Sequence, residues 1–328
     1  MKLAIIGSYG HLPVVLEGLK QAPDVQLVAA ARWGQDDSMG FVGTAAPADL
    51  PVHDDYRAML DEVRPDLAAV FVPFYRLAEA AMAAAESGCQ IFMEKPLATT
   101  LEDLARLRAA VDRAGVQVAA CLTCRGDAAF RTIRQAVLAG RIGRCIYAAA
   151  QKSYPFNVRD EFYRTRQTYG GTISWIGIHA IDYIHYCTGQ DYRRVAAIAS
   201  NQAHPSRPGM EDQGGLLLEL SGGGAVVINF DYLRPWGKHK RPWGDDRLRI
   251  AGTEGIIETK DSASAVELMT PDATETLPLA PAVNIFADFA AALAGGTQPL
   301  LTTEESFRAT EIALKARQAQ DSGRFVEL

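Results

Sequence analysis

Through the first 120 residues of this 328-residue chain, short apolar runs alternate with segments of helical periodicity, a pattern that few folds accommodate. The runs at 3–6, 25–30, 68–72, 90–93 and 116–121 read as strands, and the segments from Pro13, from Tyr56, over 78–86 and over 101–114 read as helices. A strand, a helix and a second strand in succession need a crossover connection, which makes neighbouring strands parallel and covers both faces of the sheet. The run Ile91-Phe92-Met93 fits such a buried position, since no polar residue interrupts it. A further helix is expected over 128–139, with Phe130, Ile133 and Val137 on one stripe and Gly140 as its stop.

Beyond Gly143 the texture changes. Short strands are expected at 145–151, 195–200, 215–220, 225–230, 248–250 and 256–259, with helical pattern only over 178–186, 286–294 and 304–319. A mostly antiparallel open sheet is the natural arrangement of such strands. The expected architecture is therefore α/β in two parts: a parallel-sheet domain over 1–122 and an α+β domain over 123–328, with the C-terminal helix packing back on the first domain.

A composition of 48% hydrophobic and 22% charged residues supports full cores, and a net charge of -6 argues against a nucleic-acid partner. The most apolar stretch, 68–85, is broken by Arg76 and Glu79, and Gly7 interrupts the first apolar run too early for a signal-peptide core. The expectation is a cytoplasmic protein with no membrane partner. Five cysteines (Cys89, Cys121, Cys124, Cys145, Cys187) are an odd number without secretory context, so reduced thiols are expected. Cys121 and Cys124 have C-x-x-C spacing, but no second pair or nearby histidine completes four ligands, and no metal is expected.

The chemistry concentrates in three places. Glu94-Lys95-Pro96 follows the apolar strand over 90–93, and Thr99 with Glu102 three residues on reads as a capping box that opens the next helix. Pro96 disfavours the helical region for Lys95, so the ammonium is expected to project from the carboxyl edge of the sheet, where doubly wound folds hold ligands. Partial burial there would lower its pKa from about 10.4 towards a value useful for proton exchange. The competing reading is a solvated surface lysine.

The second place is the first turn, Gly7-Ser8-Tyr9-Gly10-His11-Leu12-Pro13. It keeps the first glycine of G-x-G-x-x-G, with Tyr9 and Leu12 at the other two positions, Gly10 as a shifted flexible point, and Pro13 at a helix start that leaves backbone N–H groups for an anion. The second strand ends at Ala31-Arg32 with no acid to receive a ribose 2′-hydroxyl. A guanidinium in that position suits a 2′-phosphate, so NADP is expected ahead of NAD, unless Arg32 is only a solvated strand-end residue.

The third place is Gly170-Gly171 followed by His179, whose near-neutral pKa suits proton transfer, although a structural histidine bonded to backbone is the alternative. His179, Asp182 and His185 stand at i, i+3 and i+6, so His185 points away from His179 and the three do not form a metal site. The loop over 234–247 mixes cations with Trp236 and Trp243 and is suited to stacking on a sugar face or capturing an anion; an exposed loop or a subunit contact is the alternative.

Together these residues resemble the Gfo/Idh/MocA oxidoreductases over essentially the whole chain. Glu94-Lys95-Pro96 matches that family's Glu-Lys-Pro motif, Ala139-Gly140-Arg141-Ile142-Gly143 resembles the turn entering its second domain, and Gly170-Gly171 through Gly177-Ile178-His179-Ala180-Ile181-Asp182 resembles its glycine and histidine segment. The resemblance implies a Rossmann domain that binds NADP, or NAD, through Gly7, Ser8, Tyr9, Gly10, His11, Arg32, Pro73 and Glu94. It implies that Lys95 and His179 are catalytic and converge on one hydroxyl, with Lys95, Arg166, Trp236 and His179 contacting substrate. Hydride would pass between nicotinamide and a sugar, cyclitol or related polyhydroxylated molecule, in a homodimer or homotetramer built through the C-terminal sheet. The chain also departs from the family. Val72-Pro73-Phe74-Tyr75-Arg76-Leu77 keeps only the proline of Thr-Pro-Asn-x-x-His, Trp175 stands where the catalytic aspartate is usual, and Thr123-Cys124-Arg125 replaces an Asn-Arg-Arg-like segment. With Tyr9, these departures leave open a non-catalytic sensor or assembly protein of the same fold.

Overall fold

The computed structural model describes residues 1–35, 37–235 and 243–328, which divide into two compact units. The first unit comprises Met1–Thr123 and Val283–Thr310, the second Cys124–Ala282 and Glu311–Leu328. The stretch over 283–310, counted with the second domain in the division at 122/123, therefore groups with the first unit.

In chain order the first unit begins β1 (Lys2–Ile6), α1 (Leu12–Leu19), β2 (Gln26–Ala31), β3 (Val52–His53), α2 (Tyr56–Val63), β4 (Leu67–Val70), α3 (Leu77–Glu86), β5 (Gln90–Met93), α4 (Leu101–Ala114) and β6 (Val118–Ala120). Its six strands run in the order β3-β2-β1-β4-β5-β6, and every neighbouring pair is parallel. The absence of polar residues from β4 and the inner part of β5 matches a sheet covered on both faces. Leu3, Ile5, Val15, Phe71 and Phe92 form its core with Phe286 and Phe289, and the Phe92 ring meets the Phe286 ring edge-on at 5.3 Å. The two last phenylalanines belong to α8 (Ile285–Leu293), whose apolar stripe is the reason 283–310 joins this unit.

The cap of α4 lies one residue beyond the expected capping box. Leu101 is the first helical residue, so Thr100 is the cap: its Oγ1 accepts from the Asp103 N–H at 3.0 Å and donates to Asp103 Oδ2 at 2.9 Å. Thr99 is buried instead. The short β3 was not anticipated, because two residues cannot display a period.

The second unit contains α5 (Ala128–Leu138), β7 (Cys145–Ser153), α6 (Arg166–Tyr169), α7 (Ile178–Thr188), β8 (Tyr192–Ser200), β9 (Gln213–Leu220), β10 (Ala225–Asp231), β11 (Asp245–Gly252), β12 (Ile256–Lys260), β13 (Ala265–Met269) and β14 (Thr274–Leu277). After α8 come α9 (Thr303–Ser322) and β15 (Val326–Glu327), which closes a nine-stranded sheet of order β14-β13-β12-β11-β7-β10-β9-β8-β15. The sheet is mostly antiparallel, with β7 and β10 as a parallel pair. Alternation buries one face, including Ala148, Ala150, Leu216, Leu218, Val226 and Ile228. The Phe130 ring of α5 stacks on Tyr183 of α7 at 4.4 Å. The strands β13 to β15 were not expected; β14, Thr-Glu-Thr-Leu, shows why, since an exposed outer strand has little apolar content to betray it. Among the described residues no helix is long and apolar enough to cross a membrane.

Candidate active site

In the first sheet the connections reverse direction between β1 and β4, and the carboxyl ends of those strands are where such folds hold ligands. Gly7 has φ +78, and a Cβ there would lie 2.5 Å from the Phe71 carbonyl oxygen, so the turn needs glycine. The Gly7 N–H donates to Ala31 O at 2.9 Å and the Tyr9 N–H to Phe71 O at 2.8 Å. Two departures from the family composition pack on one another here: the Tyr9 ring meets Phe74 edge-on at 5.6 Å. Pro73 precedes the 3-10 turn Phe74–Arg76 that carries Phe74.

Glu94 reaches across to the same turn. Its Oε2 accepts from the His11 N–H at 2.7 Å and lies 2.8 Å from His11 Nδ1, while Oε1 accepts from the Lys95 N–H at 2.8 Å. A Cβ on Gly10, at φ +71, would collide with Glu94 Oε2, so the shifted glycine makes room for this carboxylate. That corrects the expectation that the turn leaves its N–H groups to an outside anion: the His11 N–H is already taken. The Ser8 and Gly10 N–H groups have no acceptor among the described residues. Burial alone would raise the Glu94 carboxyl, but the His11 ring and N–H and the nearby Lys95 charge outweigh it and hold it below the usual glutamate range.

Lys95 itself is 1% exposed, and its bond to Pro96 is cis. Beside it, Cys121 donates its N–H to Met93 O at 2.7 Å, and burial with the Glu94 charge pushes its thiol well up. All five cysteines are free and buried.

Arg32 is neither simply solvated nor far from an acid. Its Nη1 donates to the Asp37 carbonyl oxygen and its Nε lies 3.3 Å from Asp54 Oδ1. Asp37, which sequence reasoning missed, returns its buried carboxylate to the glycine turn, where Ser8 Oγ donates to Oδ1. No periodic signal links residues 8 and 37.

His179 belongs to the second unit and is 4% exposed on α7. One turn on, Asp182 accepts from Arg125 Nε at 3.0 Å on each oxygen and from Nη2 at 2.7 Å, and both side chains are buried. Arg125 also lies over the Tyr186 ring at 5.2 Å. His185 Nδ1 sits 2.9 Å from Gln190 O. Among the described residues no group of three or more histidine, cysteine or acidic side chains is placed to hold a metal ion.

A π-helical turn, Ile173–Gly177, leads into α7 and carries the buried Trp175. Ahead of it Gly170 and Gly171 have φ +84 and +97, and the Thr172 N–H donates to Glu211 Oε2 at 2.8 Å. Tyr169 OH lies 3.1 Å from Thr172 Oγ1 and 3.0 Å from Tyr232 OH, so a buried polar network fixes the glycine pair. Arg166 pairs with Asp321 at 2.7 Å. Trp236 lies outside the described residues. A buried pair that sequence reasoning missed, Lys152 with Asp246, closes to 2.5 Å, with Cys124 Sγ 3.3 Å from the same ammonium.

Residues 1–121 match the oxidoreductase-family model of an NAD-binding Rossmann fold, and residues 130–258 match the GFO/IDH/MocA C-terminal domain. A 1,5-anhydro-D-fructose reductase of Ensifer adhaerens is 28% identical over 281 residues, 80% of each chain. A scyllo-inositol 2-dehydrogenase (NAD(+)) of Bacillus subtilis is 27% identical over 212 residues, 62% of this chain and 58% of that one. A solved protein of Thermotoga maritima, assigned provisionally to the oxidoreductases, is 32% identical with a TM-score of 0.93 and full coverage of both chains. With its two-part fold and both family domains in place, the chain belongs to the Gfo/Idh/MocA oxidoreductases.

Proposed function

We propose that this protein is a nicotinamide-dependent dehydrogenase or reductase acting on a CH–OH carbon of a sugar, cyclitol or related polyhydroxylated molecule. The observation that carries the reading is Glu94, which ties the buried Lys95 to the glycine turn through His11. The turn fits a dinucleotide: the Ser8 and Gly10 N–H groups lack acceptors among the described residues, and Gly7 lets the backbone close tightly. Gly7, Ser8, Tyr9, Gly10, His11, Arg32, Pro73 and Glu94 would hold it. When bound, the nicotinamide ring supplies or accepts the hydride. Lys95 takes the proton from the substrate hydroxyl, or returns it, at Nζ, and His179 shares that acid–base role. Glu94 positions the Lys95 backbone by accepting from its N–H, and Arg166 contacts the polyol.

The guanidinium of Arg32 supports NADP as the preferred dinucleotide. Lys95→Met is expected to lower kcat by roughly 10² to 10⁴ while dinucleotide binding persists, measured by steady-state kinetics and fluorescence titration. Full turnover in that variant would remove the mechanism. Trp175, where the family usually has its aspartate, favours the second reading of a binding protein without catalysis, and dinucleotide binding without turnover across a polyol panel would support it.

The open face of the second sheet supports assembly with a second copy. Val227 pairs across strands with Leu217, which pairs with Ala196, and these outward positions leave Leu217 44%, Val227 42% and the neighbouring Ile198 80% exposed. Arg247, Arg249, Glu258 and Lys260 continue the same face with both signs of charge, suited to self-complementary pairing.

A further inference from the structure

We infer that the buried pair Lys152 and Asp246 is a specificity-determining subsite that reads two hydroxyls on adjacent carbons of a neutral polyol. The inference rests on the polyol reading above and deepens it by naming the substrate class. The two residues stand opposite one another in the register of β7 and β11, and their side chains are bonded at 2.5 Å. The Tyr183 hydroxyl lies 3.1 Å from Gln151 O and 3.2 Å from Arg247 O, each next in sequence to a member of the pair. Tyr183 follows His179 by one turn of α7, at i and i+4, so the pair lies on the side of the helix that carries His179. All of these residues belong to the second unit.

A buried ion pair is weak evidence for stability, because apolar residues of the same volume commonly hold a fold as well. What distinguishes this one is the bonding left over. Of the three ammonium hydrogens of Lys152, one goes to Asp246 Oδ2 and one to Cys124 Sγ at 3.3 Å, and the group lies over the Tyr154 ring at 5.2 Å. The third hydrogen has no oxygen or sulfur acceptor among the described residues. Asp246 Oδ1 is buried and likewise has no donor among them, a costly state for a carboxylate oxygen. One ion pair thus leaves a donor and an acceptor on neighbouring groups. The Asp246 side chain keeps 20% of its surface exposed, so a ligand can reach it.

A hydroxyl both donates and accepts, and two of them on adjacent carbons meet the pair at once. One donates to Asp246 Oδ1 while its neighbour accepts from Lys152 Nζ. Charge decides against other ligands. Burial works against the Lys152 ammonium, but Cys124, Tyr154 and Asp246 outweigh it and push its pKa well up, so the group recognises a ligand and does not carry protons. The Asp127 carboxyl stands near enough to feel both charges, so one cation faces two acids. A sugar acid would be repelled there, and a neutral polyol would not.

The test is steady-state kinetics and isothermal titration of the full chain with a panel of sugars and cyclitols, each beside its deoxy counterpart, and with D-glucose beside D-glucuronate. The unaltered protein is expected to favour the neutral compound over the acid, and the diol over the deoxy compound, by about tenfold or more. Lys152→Met with Asp246→Leu removes both charges and should keep the fold, read as an unmoved urea midpoint. Its KM is expected to rise about tenfold to a hundredfold with kcat within about threefold, and its preference for the diol to vanish. A KM within about twofold of the original for every accepted polyol overturns the inference, as does a preference for glucuronate in the unaltered protein. Should the double variant unfold, Asp246→Asn carries the test: it keeps the shape, weakens the acceptor and is expected to raise KM about fivefold, and an unmoved KM is again fatal. An unaltered protein that binds polyols without turning any over sinks the dehydrogenase reading alone, and dissociation constants then replace KM in each comparison. One that binds none of the panel sinks the subsite.

Discussion

Glu94 keeps a negative charge with no exposed surface, and three contacts make that tolerable: the His11 N–H, the His11 ring and the Lys95 N–H. Replacing the carboxylate by an amide, Glu94→Gln, removes the charge-assisted part of these bonds and is expected to cost about 1–3 kcal/mol at neutral pH. The sign of the pH dependence follows from the direction of its shift. Because the folded carboxyl is held below its ordinary value, its contribution is present above about pH 4.3 and is lost as the pH falls through the folded value. Thermal melts of both proteins from pH 7 into the acid range should therefore converge; a gap that persists unchanged would refute the assignment. Lys95, Glu94 and His179 could be singled out in sequence because residue type and local spacing mark them. Ser8 with Asp37, Arg125 with Asp182 and Lys152 with Asp246 could not, since partners 29, 57 and 94 positions apart leave no local trace.

The helix α7 shows the same division between what is local and what is not. It begins at the expected Ile178 but runs on to Thr188, past the expected end at 186, where Gly189 supplies an αL cap, whereas α4 and β5 have the bounds expected of them. What its sequence does not show is the anchor: Asp182, one turn past His179, is locked by the fork of Arg125. Arg125→Met would strand a buried carboxylate and is expected to destabilise the protein by about 3–5 kcal/mol in urea unfolding. The double variant Arg125→Met with Asp182→Leu, which removes both charges, should recover most of that loss. A single variant as stable as the original would show that the pair does not hold the helix. The π-helical turn before α7 was equally invisible, because one extra residue per turn is a property of packing and not of composition.

For the whole molecule, the two-part architecture was legible because each part has its own period: long apolar runs separated by helices in 1–122, short alternating strands afterwards. The return of α8 to the first unit was not, since an apolar helix does not announce which sheet it will cover. The outward positions of the second sheet make assembly testable. Leu217→Arg together with Ile198→Glu is expected to convert a dimer or tetramer to monomer in light scattering, and an unaltered protein that is already monomeric would exclude assembly through this face. Finally, among the described residues Lys95 and Lys152 are the least exposed lysines, at 1% each. Reactive acyl donors in the surroundings meet outer residues such as Lys20 first, so the folded chain slows chemical wear on its proposed proton carrier.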